Sequence, residues 1–217
     1  MTTMTPARTG ATSSVEPVVA LKRRTLDSIL ISVGGVLTAA LFVAGALLTW
    51  GSNFSGDYVN DELSSQNIVF PPAAELKDEG RADLAKWGGH AVNTGPEAEA
   101  YASFIDGHLQ GIGQGKTFAD LGGAEFAARD AVTAAKDSGA SEATVAELQA
   151  KYDEISGTRN TLFKGETLRG LLLTAFAWAT VGKIAGYAAI GAFVAGVAML
   201  VLVVLGMRHH HQVAVHS

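Results

Sequence analysis

The chain has 217 residues, 48% of them hydrophobic, a formal net charge of -5 and no cysteine. The missing cysteine excludes a disulfide framework, zinc–thiolate sites, iron–sulfur clusters and covalent c-type haem. The acidic balance offers no basic footprint for nucleic acid. The apolar residues concentrate in two blocks, 29–50 and 171–207, which makes a membrane protein the default reading.

Residues 1–24 begin with a Thr-, Ser-, Ala- and Pro-rich stretch that has little to bury, and read as a disordered cytoplasmic tail ending in Lys22, Arg23 and Arg24. The expected first transmembrane helix covers 25–50. Its uncharged run of 22 residues exceeds the ~7–15 of a signal peptide, so an uncleaved anchor is expected. Small residues stud this span, with Gly35 and Ala39 four apart.

Residues 51–167 read as a helical domain. The expected helices are an outward continuation of the first span over 53–66, then 73–87, a helix starting at Gly95, Pro96 and Glu97 and stopping at Gly111, 118–135 capped by Thr117, and 142–155 capped by Ser141. The two prolines after Phe70 separate the first two, and Gly157 is expected to break the chain before the last helix. Core candidates are Leu76, Leu84, Trp87, Tyr101, Phe104, Ile105, Leu109, Phe118, Leu121, Phe126, Val132, Val145, Leu148 and Tyr152. That is a thin core for so long a segment, and docking on a neighbour would stabilise it.

Residues 168–207 read as one long helix containing the second transmembrane span, followed by a cytoplasmic tail over 208–217. The stretch 184–207 alone suffices to cross ~30 Å of hydrocarbon, because a helix rises ~1.5 Å per residue. Residues 171–182 are therefore apolar length that a bilayer does not need. Gly182 and Gly186 form a small-xxx-small pair, and Ala188, Ala192 and Gly196 follow at four-residue steps; such rows favour close helix packing in lipid. Trp50, Trp178 and Tyr187 suit an aromatic belt around a snorkelling Lys183, and Arg208 anchors the far end. The short basic flanks place both termini in the cytoplasm and the 51–167 domain outside. The fold class expected is an all-α membrane protein, two transmembrane helices with a helical extracytoplasmic domain between them, in the cell inner (plasma) membrane.

No chemistry-bearing motif survives inspection. Gly115, Lys116 and Thr117 suggest a phosphate loop, but the position that should hold its first glycine is Gln110. His90 and His108 are far apart and share no local motif with a carboxylate. His209, His210 and His211 suit a helix end, where positive charge favours the dipole. Nothing pairs a nucleophile with a base, so no catalytic, cofactor or metal residue is assigned and no enzyme is expected.

The stretches YVNDELSSQNIVFPP at 58–72, HLQGIGQGKTFADL at 108–121 and LFKGETLRGLLL at 162–173 resemble a family of actinobacterial two-span membrane proteins. Its members are often labelled aromatic ring-opening dioxygenase, and one looks like an association factor of the cytochrome bcc–aa3 respiratory supercomplex. The resemblance covers about residues 25–208. It implies a non-catalytic subunit beside cytochrome c oxidase, with membrane lipids and the oxidase and bcc subunits as partners. Haem and copper would belong to those partners. The dioxygenase label is not supported, since its iron-binding histidines and glutamate have no counterpart motif here. Gly165, Glu166 and Arg169 are expected to fix the approach to the membrane. The alternative is a stand-alone membrane-anchored sensor or ligand-binding protein.

Overall fold

The computed structural model describes residues 23–215, with side chains over 25–209. The expected tail up to Lys22 and the side chains of Arg23, Arg24, His210 and His211 lie outside the described residues. Five α-helices follow in order: α1 (Arg23–Ser65), α2 (Ala73–Asp78), α3 (Gly95–Gly113), α4 (Gly122–Asp137) and α5 (Glu142–Val215), with a 3-10 turn at Ala82–Trp87 between α2 and α3. Among the described residues there is no strand, only one antiparallel bridge between Val69 and Ala91.

Helix α5 overturns the expected break at Gly157. It runs unbroken for 74 residues, starting at Glu142 and continuing past Arg208. A helical glycine costs only about 0.5–1 kcal/mol relative to alanine. Here the Thr161 hydroxyl donates to the Gly157 carbonyl at 3.0 Å, and the same threonine–glycine relation recurs at Thr174 and Gly170. Packing just after Gly157 outweighs its propensity: Arg159 and Leu162 are each held by tertiary contacts.

Two other boundaries move for local reasons. The helix expected over 73–87 divides because Gly80, at φ +76°, closes α2 in a Schellman motif. The Arg81 N–H reaches the Leu76 carbonyl at 2.7 Å and the Gly80 N–H that of Lys77 at 3.0 Å. Gly139, at φ +70°, ends α4 in the same way. Thr117 caps a single turn through Asp120 rather than α4, which begins at Gly122. The α3 start is as read: Thr94 and Glu97 form a capping box with Pro96 in the first turn.

The chain divides into two compact units, one of Val43–Phe193 and one of the remaining parts of α1 and α5. In the second unit the helices pair antiparallel. Gly34 faces Val203 and Met199, Gly196 faces Leu41 and Phe42, and Gly206 faces Ile31.

The unit Val43–Phe193 holds the main core. Val59 and Leu63 of α1, Phe70 and Val92 of the loop, Ala98 and Ala102 of α3 and Leu172 of α5 form one buried cluster. The loop is pinned by Phe70 N–H to the His90 carbonyl and Val92 N–H to the Ile68 carbonyl, both at 2.9 Å. A second cluster joins Leu76, Leu84 and Phe104, and a third Leu109, Leu121 and Leu162. The core is therefore less thin than the sequence suggested, because α1 and α5 supply apolar walls to it. Phe126 is a correction: it is exposed, with the Arg129 guanidinium 4.9 Å from its ring.

Helices long and apolar enough to cross a membrane are α1, over Thr25–Ser65, and α5, over Glu142–His209. Only 17% and 11% of their most apolar windows are buried inside the protein, unlike the mostly buried core helix of a soluble fold.

The packing of α1 on α5 yields the first prediction. A methyl at Gly182 would lie 2.8 Å from Ser55 Cβ and 3.3 Å from the Ser52 carbonyl, whereas Gly191 has open space. Gly182→Val should lower the stability of the chain in detergent micelles by about 1–3 kcal/mol, the range for overpacking. Gly191→Val should leave it unchanged. Equal denaturation midpoints for the two variants would refute the packing described.

Candidate docking interface

Within the unit Val43–Phe193, α1 and α5 approach closely along one seam. Gly182 meets Ser55, Gly186 meets Ser52 Oγ at 2.9 Å, and Gly45 meets the Phe193 ring at 2.9 Å, measured from the methyl each glycine lacks. The Ser55 hydroxyl donates to the Trp178 carbonyl at 2.6 Å. On α5 the inward positions Leu172, Ala179, Gly182, Gly186 and Ala189 advance by steps of seven, three, four and three. That is the 3.5-residue repeat of helices that supercoil left-handedly.

This period decides which expected residues lie on the seam. Gly182, Gly186 and Gly196 face helix partners within their own units. Ala188 is exposed and Ala192 half-buried, because a strict four-residue step drifts off a 3.5 repeat. Gly35 has open space around it and Ala39 is exposed, so neither lies between the two helices of this chain. Gly34 and Gly45, two of the small residues studding the first span, lie on the seam, as do Thr38, Ser52, Ser55 and Ala189, which no motif in the sequence marks. Alternating steps of three and four would have found them. Trp50, Trp178, Lys183, Tyr187 and Arg208 are all exposed.

Beside the seam lies an apolar groove of about 320 Å³. Tyr58 and Glu62 on α1, with Gln66 just past its end, form one flank at four-residue steps, and Leu168, Leu171, Ala175 and Trp178 the other on α5. Val59, Leu63 and Leu172 sit at its floor and belong to the main core. The α1 flank extends the aromatic ladder Trp50–Phe54–Tyr58, stacked at 5.7 and 6.1 Å. Leu171 is 64% exposed and Trp178 53%, so the walls are open.

Other elements hold the groove's supports. Gly95, buried at the α3 start, abuts Ala179, and Gly165 abuts Leu109. Arg169 bridges Asp106 at 3.5 Å and Glu166 at 3.1 Å, tying α5 to α3. Glu97 accepts from the Asn93 and Thr94 N–H groups and the Thr94 hydroxyl. Arg159 stacks 3.8 Å above the Phe118 ring, donates to the Phe118 carbonyl and pairs with Glu125 at 2.6 Å.

His90 stands 4.0 Å from Glu97 and His108 3.9 Å from Glu79. Among the described residues no three metal-ligating side chains converge. Burial raises the Tyr101 phenol above its ordinary value. Among the described residues these features define an all-helical protein with two helices long and apolar enough to cross a membrane, and an apolar groove between α1 and α5. Compared with family models, curated proteins and solved structures, the chain matches none.

The Ser156 hydroxyl, and then Arg159, hold the Glu125 carboxyl below the usual range. A depressed folded value stabilises in full above the ordinary carboxylate range, ~4.3, and is lost as pH falls through the lowered value. Amides of α4 should therefore lose exchange protection below about pH 4. Glu125→Gln should weaken protection at neutral pH and flatten this acid dependence. An unchanged acid profile in the variant would rule out Glu125 as the sensor.

Proposed function

We propose that the chain is a two-span membrane protein with both termini cytoplasmic and residues 51–167 outside, acting as a non-catalytic accessory subunit. The observation that carries this is the exposed apolar surface of α5 before Lys183. Leu168, Leu171, Trp178 and Val181 stay exposed on a stretch that the bilayer does not require. Water would make such a surface costly at about 25 cal/mol per Å², so a protein neighbour is the natural cover. The resemblance of 58–72, 108–121 and 162–173 to the respiratory association-factor family supplies the neighbour's identity: a cytochrome bcc–aa3 assembly, with the chain beside cytochrome c oxidase. Haem and copper then belong to the partner subunits.

A second reading is favoured by the groove itself. Its volume falls at the lower end of the ~300–1,000 Å³ of small-molecule sites, which suits a membrane-anchored sensor or ligand-binding protein. A fragment of residues 51–167 does not separate the readings. It lacks Leu172, Ala175 and Ala179, which pack in the main core, and so is poorly folded under either.

The intact chain does separate them. Extracted in mild detergent, it should bring down subunits carrying haem a and haem b in fixed ratio, read by absorption spectra and mass spectrometry. Elution alone, folded and without haem, would overturn the respiratory assignment.

A further inference from the structure

We infer that the groove between Tyr58 and Trp178 receives one helix of a partner membrane protein, a helix that continues outward from the bilayer and bears lysine or arginine beside its apolar face. The inference rests on the membrane topology proposed above and names the kind of surface that meets this chain.

Three observations select this occupant. First, position: with Trp50 at the outer boundary, Tyr58 to Gln66 stand roughly 12–24 Å beyond it at 1.5 Å per residue. The aromatic ladder from Trp50 to Tyr58 makes the groove continuous with the exposed apolar surface of α1 below. A helix rising out of the membrane can follow that surface without a break.

Second, shape: the walls are two helical rows, Tyr58–Glu62 of α1, extended by Gln66 just past its end, and Leu168–Leu171–Ala175–Trp178 of α5, over a floor of Val59, Leu63 and Leu172. Side chains at three- and four-residue steps on a third helix fit such rows.

Third, charge: Asp57, Asp61 and Glu62 are exposed on the α1 side, and among the described residues no basic side chain pairs with them. The nearest wall of α5 offers only Thr174. A second copy of this chain would set the same carboxylates against each other. An anionic lipid headgroup would meet them too, and at this height acyl chains would stand outside the bilayer. A cationic flank on an apolar helix is complementary on both counts.

The test uses the full chain in native membranes, with photoreactive benzoylphenylalanine replacing Tyr58 or Trp178 and, as a control, Val197. After irradiation the adducts are mapped by mass spectrometry, and the same preparation is scored for co-purifying haem subunits. Expected are adducts from both positions to one partner peptide that adjoins a membrane-spanning apolar stretch and holds Lys or Arg within two turns. Asp61→Lys with Glu62→Lys should cut that adduct roughly tenfold or more, since like charges repel across an interface, while the melting temperature stays unchanged. Adducts to lipid only, to a second copy, to a soluble domain, or none at all would overturn the inference, as would charge reversal without effect. Haem subunits that co-purify without the adduct would sink the groove assignment alone. An adduct to a partner helix in a preparation without haem subunits would sink the respiratory assignment and leave the groove standing.

Discussion

Everything in the larger unit depends on how closely α1 and α5 approach at Ser52, Ser55, Gly182 and Gly186. Glycine on α5 and serine on α1 remove side-chain bulk from both surfaces, so the backbones themselves come into contact range. The Ser55 hydroxyl then finds the Trp178 carbonyl at 2.6 Å, which satisfies a buried polar group without water. Because the helices are held so close there, Val59, Leu63 and Leu172 meet further along as one apolar platform. Phe70, Val92, Ala98 and Ala102 settle onto it.

That platform explains how a cysteine-free segment rich in alanine and glycine keeps a defined shape. Its segment from Asn67 to Thr94 holds only the short α2 and one 3-10 stretch. It is fixed by backbone pairing at Phe70 and Val92, by the Phe70–Tyr101 edge contact at 5.1 Å and by the Arg81 guanidinium on Ser103. Further from the seam, Arg159 and Glu125 join α4 to α5 beside the Phe118 ring. This polar clamp works beside the buried Ala128 and Val132 of α4, and it is sensitive to acid in a way the platform is not.

Much of this was legible in the sequence, for identifiable reasons. The two apolar blocks, the Thr94–Glu97 region as a helix start, and the surplus length of the last helix follow from composition and capping rules that act locally. What was not legible is tertiary. Gly157 reads as a breaker only until Arg159 and Leu162 are seen to be anchored on both neighbouring elements. Val59, Leu63 and Leu172 look like outward residues of long helices until the loop folds over them. Phe126 has the composition of a core residue but sits where α4 has nothing to cover it. The small-residue rows point to close packing, but a four-residue step drifts off a 3.5 repeat, so Thr38 and Ala189 lie on the seam where Ala39 and Ala188 are expected.

Those displaced residues sharpen the functional argument. A helix pair in lipid gains little from apolar burial alone, since the tails are as apolar as leucine. Gly35 and Ala39 do not serve the chain's own seam and leave α1 smooth there, while under the proposed topology the apolar surface along Leu168, Leu171, Trp178 and Val181 stands where lipid tails would not reach. The two surfaces differ in what they gain from a neighbour: packing contact in the bilayer for the first, removal of apolar area from water for the second. Under the topology proposed above, a membrane-protein neighbour along α5 removes the second surface from water. A soluble ligand satisfies only the groove, and lipid satisfies only the small-residue rows. That asymmetry is the physical reason to prefer a membrane-protein neighbour over either.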